Sequence, residues 1–251
     1  MSPPATEAVV VERRGAVSWA TLSRPERANA CGSDVMAGLE EWLAGAADAD
    51  VRVLVLTGSG STFCAGADLK EAGRLVADRE ALLGFLRRGR DLVTEIQRTP
   101  VPVLAAVNGA AYAGGLELLL ACDIAVAAGT ASIGDRHISQ GQVPGWGASA
   151  MLPRVVGQTV ATRLMLTGET LTGDQAAAAG LVSEAVPAEQ LTDRVTRLAE
   201  GLAALDRGAV ERMLRLTRRV PADLASGLQT EWEVLLEHVS AAQTLSRAAA
   251  F

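Results

Sequence analysis

A glycine and a glutamate one helical turn apart have the spacing of a small chemical site. Gly114 stands before an apolar helical run over residues 116–122, and Glu117 follows it by three positions. The first amides of a helix are free, and the helix dipole favours negative charge beside them. Because three residues make about one helical turn, the Glu117 carboxylate shares a face with that amide. Such a pair could hold an anion and move a proton. The alternative is a glycine turn before a core helix, with Glu117 solvated.

The sequence before this pair predicts a strand, followed by a loop of small residues that a second backbone or a ligand can approach closely. Residues 101–107 form an unbroken apolar run, which is typical of a buried strand. Small side chains follow, and they allow a second backbone or a ligand to come near. These residues are Gly109, Ala110, Ala111, Ala113, Gly114 and Gly115.

A second glycine-rich loop spans residues 57–68 and ends before a helical run that begins at Leu69. Its length and glycine content predict a backbone that approaches a ligand. The alternative is a flexible surface loop, although Phe63 and Cys64 are too apolar for one that is purely solvated.

A third loop, residues 132–147, contains Asp135 and His137. An ordinary imidazole titrates near pH 6.5, so His137 could give or take a proton at neutral pH. If the loop is extended, the two side chains point the same way, and Asp135 could orient His137 or act in its own right. The alternative is a hydrogen-bonded surface histidine. We expect the other histidine, His238, to be structural.

The composition excludes several classes of protein. Hydrophobic residues make up 49% of the chain and aromatic residues only 3%, which predicts a globular protein with an aliphatic core. A net charge of −6 disfavours non-specific binding to nucleic acid, which needs a basic surface. We expect the basic helix face at Arg87, Arg88 and Arg90 to be solvated.

The cysteines favour a reduced, intracellular protein. Cys31, Cys64 and Cys122 are odd in number and show no Cys-x-x-Cys spacing, and the histidines are not clustered. We therefore expect buried thiols, no disulfide and no metal site. Residues 1–11 lack the pattern of a signal peptide, and no apolar run has the length of a membrane span. These features predict a cytoplasmic protein that binds no membrane.

Strands alternate with helices in the first three quarters of the chain, and helices follow. Besides 101–107, the predicted strands are 7–12, 17–22, 51–56, 123–127 and 181–186. Besides 116–122, the predicted helices are 33–47, 82–98, 158–166, 174–179, 188–205, 208–219 and 224–241. This order predicts an α/β core over residues 1–186 and a helical region over residues 187–251.

Taken together, the three loops resemble segments of the enoyl-CoA hydratase/isomerase (crotonase) superfamily. Residues 63–71, Phe-Cys-Ala-Gly-Ala-Asp-Leu-Lys-Glu, resemble its first oxyanion segment. Residues 108–124 resemble the second oxyanion segment and the first catalytic glutamate. Residues 134–147 and 152–157 resemble the segment that bears the second catalytic residue, and 166–168 and 176–182 continue the match. The likeness runs in order along nearly the whole chain.

The resemblance implies the ββα superhelix of the ClpP/crotonase fold. It also implies that the C-terminal helices drive trimerisation, as a homotrimer or a dimer of trimers. The implied ligand is an acyl-coenzyme A thioester, and coenzyme A is then part of the substrate, so no separate cofactor is expected.

The resemblance also assigns site residues by motif position. The amides of Ala67 and Gly114 form the implied oxyanion hole, and two fixed amides suit the charge that develops on a thioester enolate. Glu117 is the implied first catalytic residue. The implied substrate- and coenzyme A-binding residues are Arg24, Arg27, Ala28, Ala65, Gly66, Asp68, Leu69 and Lys70.

The chain departs from the pattern of this superfamily at two positions. His137 stands where hydratases carry a second glutamate, and Asp135 precedes it as an auxiliary candidate. Trp146 replaces a small residue and is expected to narrow or cap the acyl pocket. We expect an enoyl-CoA hydratase that uses Glu117 and His137. The alternatives are an enoyl-CoA isomerase, another lyase or hydrolase of this type, and a non-catalytic acyl-CoA-binding or RNA-binding relative.

Overall fold

The computed structural model describes residues 8–218, 228–229, 232–233 and 235–236. Strands β1–β10 are Val9–Arg14, Val17–Leu22, Val53–Gly58, Thr62–Cys64, Val103–Val107, Ala110–Tyr112, Ile124–Ala128, Ser132–Gly134, Leu171–Thr172 and Glu184–Val186. Helices α1–α9 are Ser33–Ala44, Leu69–Leu75, Arg79–Arg98, Gly114–Ala121, Ala148–Val156, Gln158–Thr167, Gly173–Ala178, Leu191–Ala203 and Arg207–Thr217. Short 3-10 helices span Pro25–Arg27, Gly45–Ala47, His137–Gln140 and Ala188–Gln190.

The larger sheet has the order β1-β2-β3-β5-β7-β10. Its neighbouring strands are parallel except for the β1–β2 hairpin. Strands β5 and β7, and the first four residues of β3, are runs of valine, leucine, isoleucine and alanine that are buried almost throughout. Such continuous apolar strands are typical of a sheet covered on both faces, which confirms the α/β prediction.

The smaller sheet, in the order β4-β6-β8-β9, explains the unusual loops. Each of β4, β6 and β8 follows a strand of the larger sheet, and these three short strands pair in parallel. Helices α2 and α4 follow β4 and β6, and a 3-10 helix and α5 follow β8. Each strand–strand–helix unit therefore adds one strand to each sheet, which is the ββα superhelix that the resemblance implied.

The helical region after residue 186 packs on this core. Helix α8 lies against β2, β3, β5 and β7, and its Leu191, Val195 and Ala199 are buried in the main core. The boundary after residue 186 stays a prediction. The predicted helix 224–241 lies mostly outside the described residues, and so does His238.

Several predicted boundaries were wrong by a few residues, and one helix was missed. Strand β5 begins at Val103 rather than at residue 101, because Pro102 has no amide to donate to a sheet. Helix α5 was not predicted, since Pro153 reads as a helix breaker although it lies inside the helix. No helix within the described ranges is both long and apolar enough to cross a membrane.

Candidate active site

The three unusual loops meet at one cavity of about 320 Å³. They leave the carboxyl ends of the parallel strands β4, β6 and β8, which lie side by side in the smaller sheet. Carboxyl ends of parallel strands share one edge of a sheet, so residues far apart in sequence converge there. Ala67, Gly114 and His137, one from each loop, line this cavity.

The backbone turn at Ala113 presents the Gly114 amide at the start of α4. Ala113 has φ 49° and ψ −117°, a conformation that residues other than glycine rarely adopt. It costs about 1–3 kcal/mol and persists only where the surroundings enforce it. The Gly114 amide donates to no acceptor in the described part of the chain. A donor at a helix start that has no protein partner suits an anionic ligand.

The Ala67 amide lies next to that of Gly114. A Cβ added to Gly114 would lie 3.2 Å from Ala67 N. Two hydrogen bonds to Cys31 hold the Ala67 segment, since Cys31 N donates to Gly66 O at 2.7 Å and Asp68 N donates to Cys31 O at 3.1 Å. Neither bond uses the Ala67 amide, and that amide also finds no acceptor among the residues that the structure describes. The two amides can therefore bind one oxyanion.

Glu117 is buried rather than solvated, with 1% of its surface exposed. Its Oε1 accepts hydrogen bonds from Trp146 N at 2.8 Å and Ala148 N at 3.0 Å. Ala148 is the first residue of α5, so the positive end of that helix dipole faces the carboxylate. These contacts allow a charged carboxylate to remain in an apolar site.

His137 lies between Glu117 and Asp135. Its Nε2 is 3.9 Å from Glu117 Oε2, and its Nδ1 is 3.1 Å from Asp135 Oδ2. Asp135 is only 1% exposed, and its Oδ1 also accepts from the His137 amide at 3.3 Å. The two side chains are in contact, although the loop is not extended at this point. Arg136 has a left-handed backbone, φ 54°, and a 3-10 helix begins at His137, so a turn brings the two side chains together.

Trp146 forms a rigid part of the cavity wall. Its ring is 2% exposed, and its Nε1 donates to Leu86 O in α3 at 3.0 Å. A Cβ on either Gly89 or Gly114 would overlap the ring, so two glycines make the space that it fills. Trp146 thus borders the cavity beside the Gly114 amide.

The predicted coenzyme A-binding residues differ in their positions. Ala65 and Leu69 line the cavity, and Lys70 is exposed outside its lining. The remaining residues, together with the Ala65 amide, tie two loops together. Asp68 caps α2 and lies 3.4 Å from both Arg24 and Arg27, Ala65 N donates to Ala28 O at 3.0 Å, and Gly66 bonds to Cys31.

Four contributors to the site were not predicted from the sequence. The amides of Trp146 and Ala148 carry no sequence signal, because any residue other than proline supplies one. Asn29 is buried and donates to Ser59 O and Thr62 O, which joins the loop before α1 to the segment before β4. Tyr112 lines the cavity, and the small residues around it drew attention away from it.

Cys31 and Cys64 are buried, and Cys122 is half-buried. Cys31, Cys64 and Cys122 are all free, and burial raises the pKa of the Cys64 thiol to about 12. Within the described ranges, no three His, Cys, Asp or Glu side chains are grouped as a metal site would require.

Known proteins resemble this chain along most of its length. Residues 12–247 match the family model for enoyl-CoA hydratase/isomerase. A probable enoyl-CoA hydratase, EchA12, of Mycobacterium tuberculosis is 41% identical over 88% of this chain and 78% of its own. The (E)-benzylidenesuccinyl-CoA hydratase of Thauera aromatica is 33% identical over 92% of this chain and 88% of its own.

Solved structures agree with these relatives. An enoyl-CoA hydratase/isomerase from Mycobacterium paratuberculosis has a TM-score of 0.90 at 26% identity, over 99% of this chain and 100% of that one. The enoyl-CoA hydratase of Bacillus anthracis has a TM-score of 0.81 at 32% identity, over 93% and 90% of the two chains. With the match over residues 12–247, this chain belongs to the enoyl-CoA hydratase/isomerase family of crotonase-fold enzymes, which act on acyl-CoA thioesters.

Proposed function

We propose that this enzyme is an enoyl-CoA hydratase, which adds water across the double bond of a 2-enoyl-CoA. The observation that carries the proposal is that Glu117 and His137 face each other across 3.9 Å beside the two oxyanion amides. A water oxygen about 2.8 Å from both the Glu117 carboxylate and the His137 imidazole is compatible with that separation. The site thus offers two proton-transfer groups and an anion site to one small reactant.

The oxyanion amides would stabilise the charge that forms during the reaction. When water adds to carbon 3 of the acyl group, electrons move onto the thioester oxygen and form an enolate. The amides of Ala67 and Gly114 would donate to that oxygen, and one such donor typically contributes about 3–4 kcal/mol. The strained turn at Ala113 supports this role, since it directs the Gly114 amide before any substrate arrives.

Glu117 and His137 would divide the two proton transfers. The Glu117 carboxylate takes a proton from water as the oxygen bonds to carbon 3. The His137 imidazolium gives its Nε2 proton to carbon 2 as the enolate collapses. A proton then passes from Glu117 to His137, which restores both groups, so the net reaction is the addition of one water.

Asp135 would support the charged form of His137. A buried carboxylate 3.1 Å from Nδ1 favours the imidazolium and fixes the ring with Nε2 toward Glu117. Such a carboxylate acts through the histidine and touches no substrate atom, so we assign Asp135 a positioning role.

A second candidate is an isomerisation in which the double bond moves from between carbons 3 and 4 to between carbons 2 and 3 of the acyl chain. The apolar lining of the cavity and the buried Trp146 favour this alternative, because both exclude water from the acyl carbons. One base would then take a proton from one carbon and return it to another, without water.

Product masses separate the two reactions. The purified enzyme is incubated with crotonyl-CoA, then with 3-hexenoyl-CoA, and the products are analysed by chromatography and mass spectrometry. Hydration adds the mass of one water to crotonyl-CoA. Isomerisation converts 3-hexenoyl-CoA to 2-hexenoyl-CoA at unchanged mass, and that product without any hydrated acyl-CoA would contradict the hydratase proposal.

We also propose a homotrimer or dimer of trimers assembled through the C-terminal helices, a cytoplasmic location and no cofactor beyond the coenzyme A of the substrate. The three free thiols support a reducing compartment. Light scattering measures the number of subunits in the assembly, and cell fractionation measures the location. Turnover after treatment with a metal chelator tests whether the enzyme requires a metal cofactor. A monomer, a membrane-pellet or secreted pool, or loss of turnover would contradict the respective proposal.

A further inference from the structure

Part of the cavity lining is polar, and the proposed hydration does not use it. The end of α2 and helix α3 supply an apolar wall that includes Val76, the residue that caps α2, and Leu82 and Leu86 of α3. Another part of the lining carries Tyr112, Arg136, Gln140 and Gln142. Arg136 and Gln140 are exposed, whereas Tyr112 and Gln142 are half-buried. A plain hydrocarbon chain would displace water from the half-buried groups without replacing its hydrogen bonds, which is unfavourable. Polar groups in a mostly apolar cavity usually orient a matching polar group of the ligand.

Arg136 is the central group of this polar wall. In the part of the chain that the structure describes, it is the one lysine or arginine that lines the cavity. Its guanidinium lies within ion-pair distance of no carboxylate in that same part. The neighbouring carboxylates are already held, since Asp135 contacts His137 and Glu117 accepts from two backbone amides. The Arg136 guanidinium, with its positive charge and five N–H donors, is therefore available to a ligand.

The backbone and Tyr112 hold this guanidinium at the cavity. Arg136 has φ 54° and ψ 2°, a left-handed conformation that is unfavourable for a long side chain. Its guanidinium carbon lies 5.0 Å from the centre of the Tyr112 ring, within the range of a cation–π contact. Strained residues of this kind cluster at ligand sites, where the surrounding structure enforces them.

We propose that Arg136 and Tyr112 form an anion subsite and that the acyl group of the substrate carries a carboxylate which Arg136 binds. The inference rests on the proposed thioester substrate and names its class, an acyl chain with a second acidic group. A guanidinium recognises a carboxylate through two parallel hydrogen bonds. The phosphates of coenzyme A are the other anions in reach of such a site. However, the whole pantetheine arm separates them from the thioester, whereas Arg136 is adjacent to His137 and Tyr112 is two residues from Gly114.

Binding of unreactive thioesters tests the subsite without any turnover. The probes are glutaryl-pantetheine, its ω-amide, and glutaryl-CoA, and the dissociation constants are measured by calorimetry. Arg136→Asn removes the charge, and asparagine tolerates a left-handed backbone better than most residues do. Arg136→Lys keeps the charge without the fork. Arg197→Gln, on the exposed face of α8 and outside the cavity, is the matched control.

We expect Arg136→Asn to raise the dissociation constant of glutaryl-pantetheine at least ~10-fold, the scale of a hydrogen bond to a charged group. The dissociation constant of the ω-amide should change less than ~3-fold. The dissociation constant of glutaryl-pantetheine for Arg136→Lys should lie between those of the wild type and Arg136→Asn. The constant for Arg197→Gln should equal that of the wild type. Equal weakening of the acid and the amide would mean a structural role and would overturn the proposal. An effect seen with glutaryl-CoA and absent with glutaryl-pantetheine would assign Arg136 to the phosphates and would also overturn it. If the wild type fails to hydrate crotonyl-CoA while the acid–amide difference is observed, the hydratase proposal fails and the subsite stands.

Discussion

At the scale of single residues, Glu117 is a buried carboxylate stabilised by the backbone. Two amide hydrogen bonds and the N-terminus of α5 offset the cost of removing its charge from water. These donors fix Oε1, so Oε2 faces His137 in a defined direction. A side chain held in this way can transfer a proton without first reorganising.

Glu117→Gln tests the proton transfer with little change of shape. The glutamine oxygen can accept from Trp146 N and Ala148 N as the carboxylate does, so the fold should persist. We expect kcat for crotonyl-CoA to fall by at least ~100-fold, the usual scale for one acid–base group. Binding of butyryl-CoA, measured by calorimetry, should change less than ~3-fold. Wild-type turnover in this variant would exclude the assigned role.

The pH dependence of the rate tests His137. Because an imidazole ordinarily titrates near pH 6.5, we expect an inflection in kcat/KM between about 6 and 7.5, and its loss in His137→Ala. In Asp135→Asn the carboxylate that favours the imidazolium is gone, so the inflection should move to lower pH. A His137→Ala enzyme with full rate and an unchanged profile would show that the histidine is a bystander, and isomerase chemistry would gain support.

His137→Glu tests whether a second glutamate, which hydratases carry at this position, can function beside Asp135. The new carboxylate would stand beside Asp135, which is 1% exposed, so repulsion between two buried charges should lower hydratase activity. We expect Asp135→Asn in the same chain to relieve the repulsion and raise turnover at least ~10-fold above the single variant. Steady-state rates on crotonyl-CoA provide the measurement, and an unchanged rate in the double variant would contradict this account.

At the scale of elements, the turn between β6 and α4 positions the Gly114 amide of the proposed oxyanion site. Ala113 directs the Gly114 amide into the cavity, and the Trp146 ring packs directly against Gly114. The loop after β4 places the Ala67 amide beside it. The positions of the two donors therefore depend on three segments: the turn before α4, the loop after β4 and the segment that contains Trp146. These segments pack so closely around Gly114 that no side chain fits at that position.

Gly114→Val should abolish activity while the fold persists. The added Cβ would overlap the Trp146 ring and stand 3.2 Å from Ala67 N, so the thioester oxygen could no longer reach both amides. We expect kcat/KM to fall at least ~100-fold, the effect of losing one oxyanion donor. Gly84→Val is the matched control, because a Cβ at that α3 glycine meets no atom within 4 Å. An active Gly114→Val enzyme would locate the oxyanion site elsewhere.

At the scale of the whole molecule, the aliphatic core encloses a thiol, that of Cys64, whose loss of a proton is unfavourable in the folded state. Cys64 is fully buried, and burial raises the pKa of its thiol to about 12. An unfolded cysteine has a pKa of about 8.5, so the folded state keeps a proton that the unfolded state loses. This contribution to stability is complete below pH ~8.5 and is lost as the pH rises toward 12.

Alkaline unfolding of Cys64→Ala tests this linkage. We expect the free energy of unfolding of the wild type to fall more steeply with pH above ~8.5, by up to about 1.4 kcal/mol per pH unit relative to the variant. Urea unfolding at several pH values between 8 and ~10.5 measures both curves. Comparing slopes cancels the cost of the smaller side chain, and parallel curves would contradict a buried, protonated Cys64.

The sequence by itself determined the strand–helix alternation, the family resemblance and the three loops that surround the cavity. Those features are local, because apolar periodicity, glycine-rich turns and motif spacing all reflect neighbours along the chain. They also singled out Glu117, Gly114 and Ala67, whose roles stay predictions until the variants above are measured.

Only the tertiary structure decided how those residues are held. Strands β4, β6 and β8 have three residues each, too few for a periodic pattern, yet their pairing brings the loops together. The amides that stabilise Glu117 come from residues 29 and 31 positions away. The contact between Asp135 and His137 depends on a left-handed turn at Arg136, a local conformation that propensity does not reveal. Backbone donors and left-handed turns depend on packing between distant segments, and a single sequence does not record it.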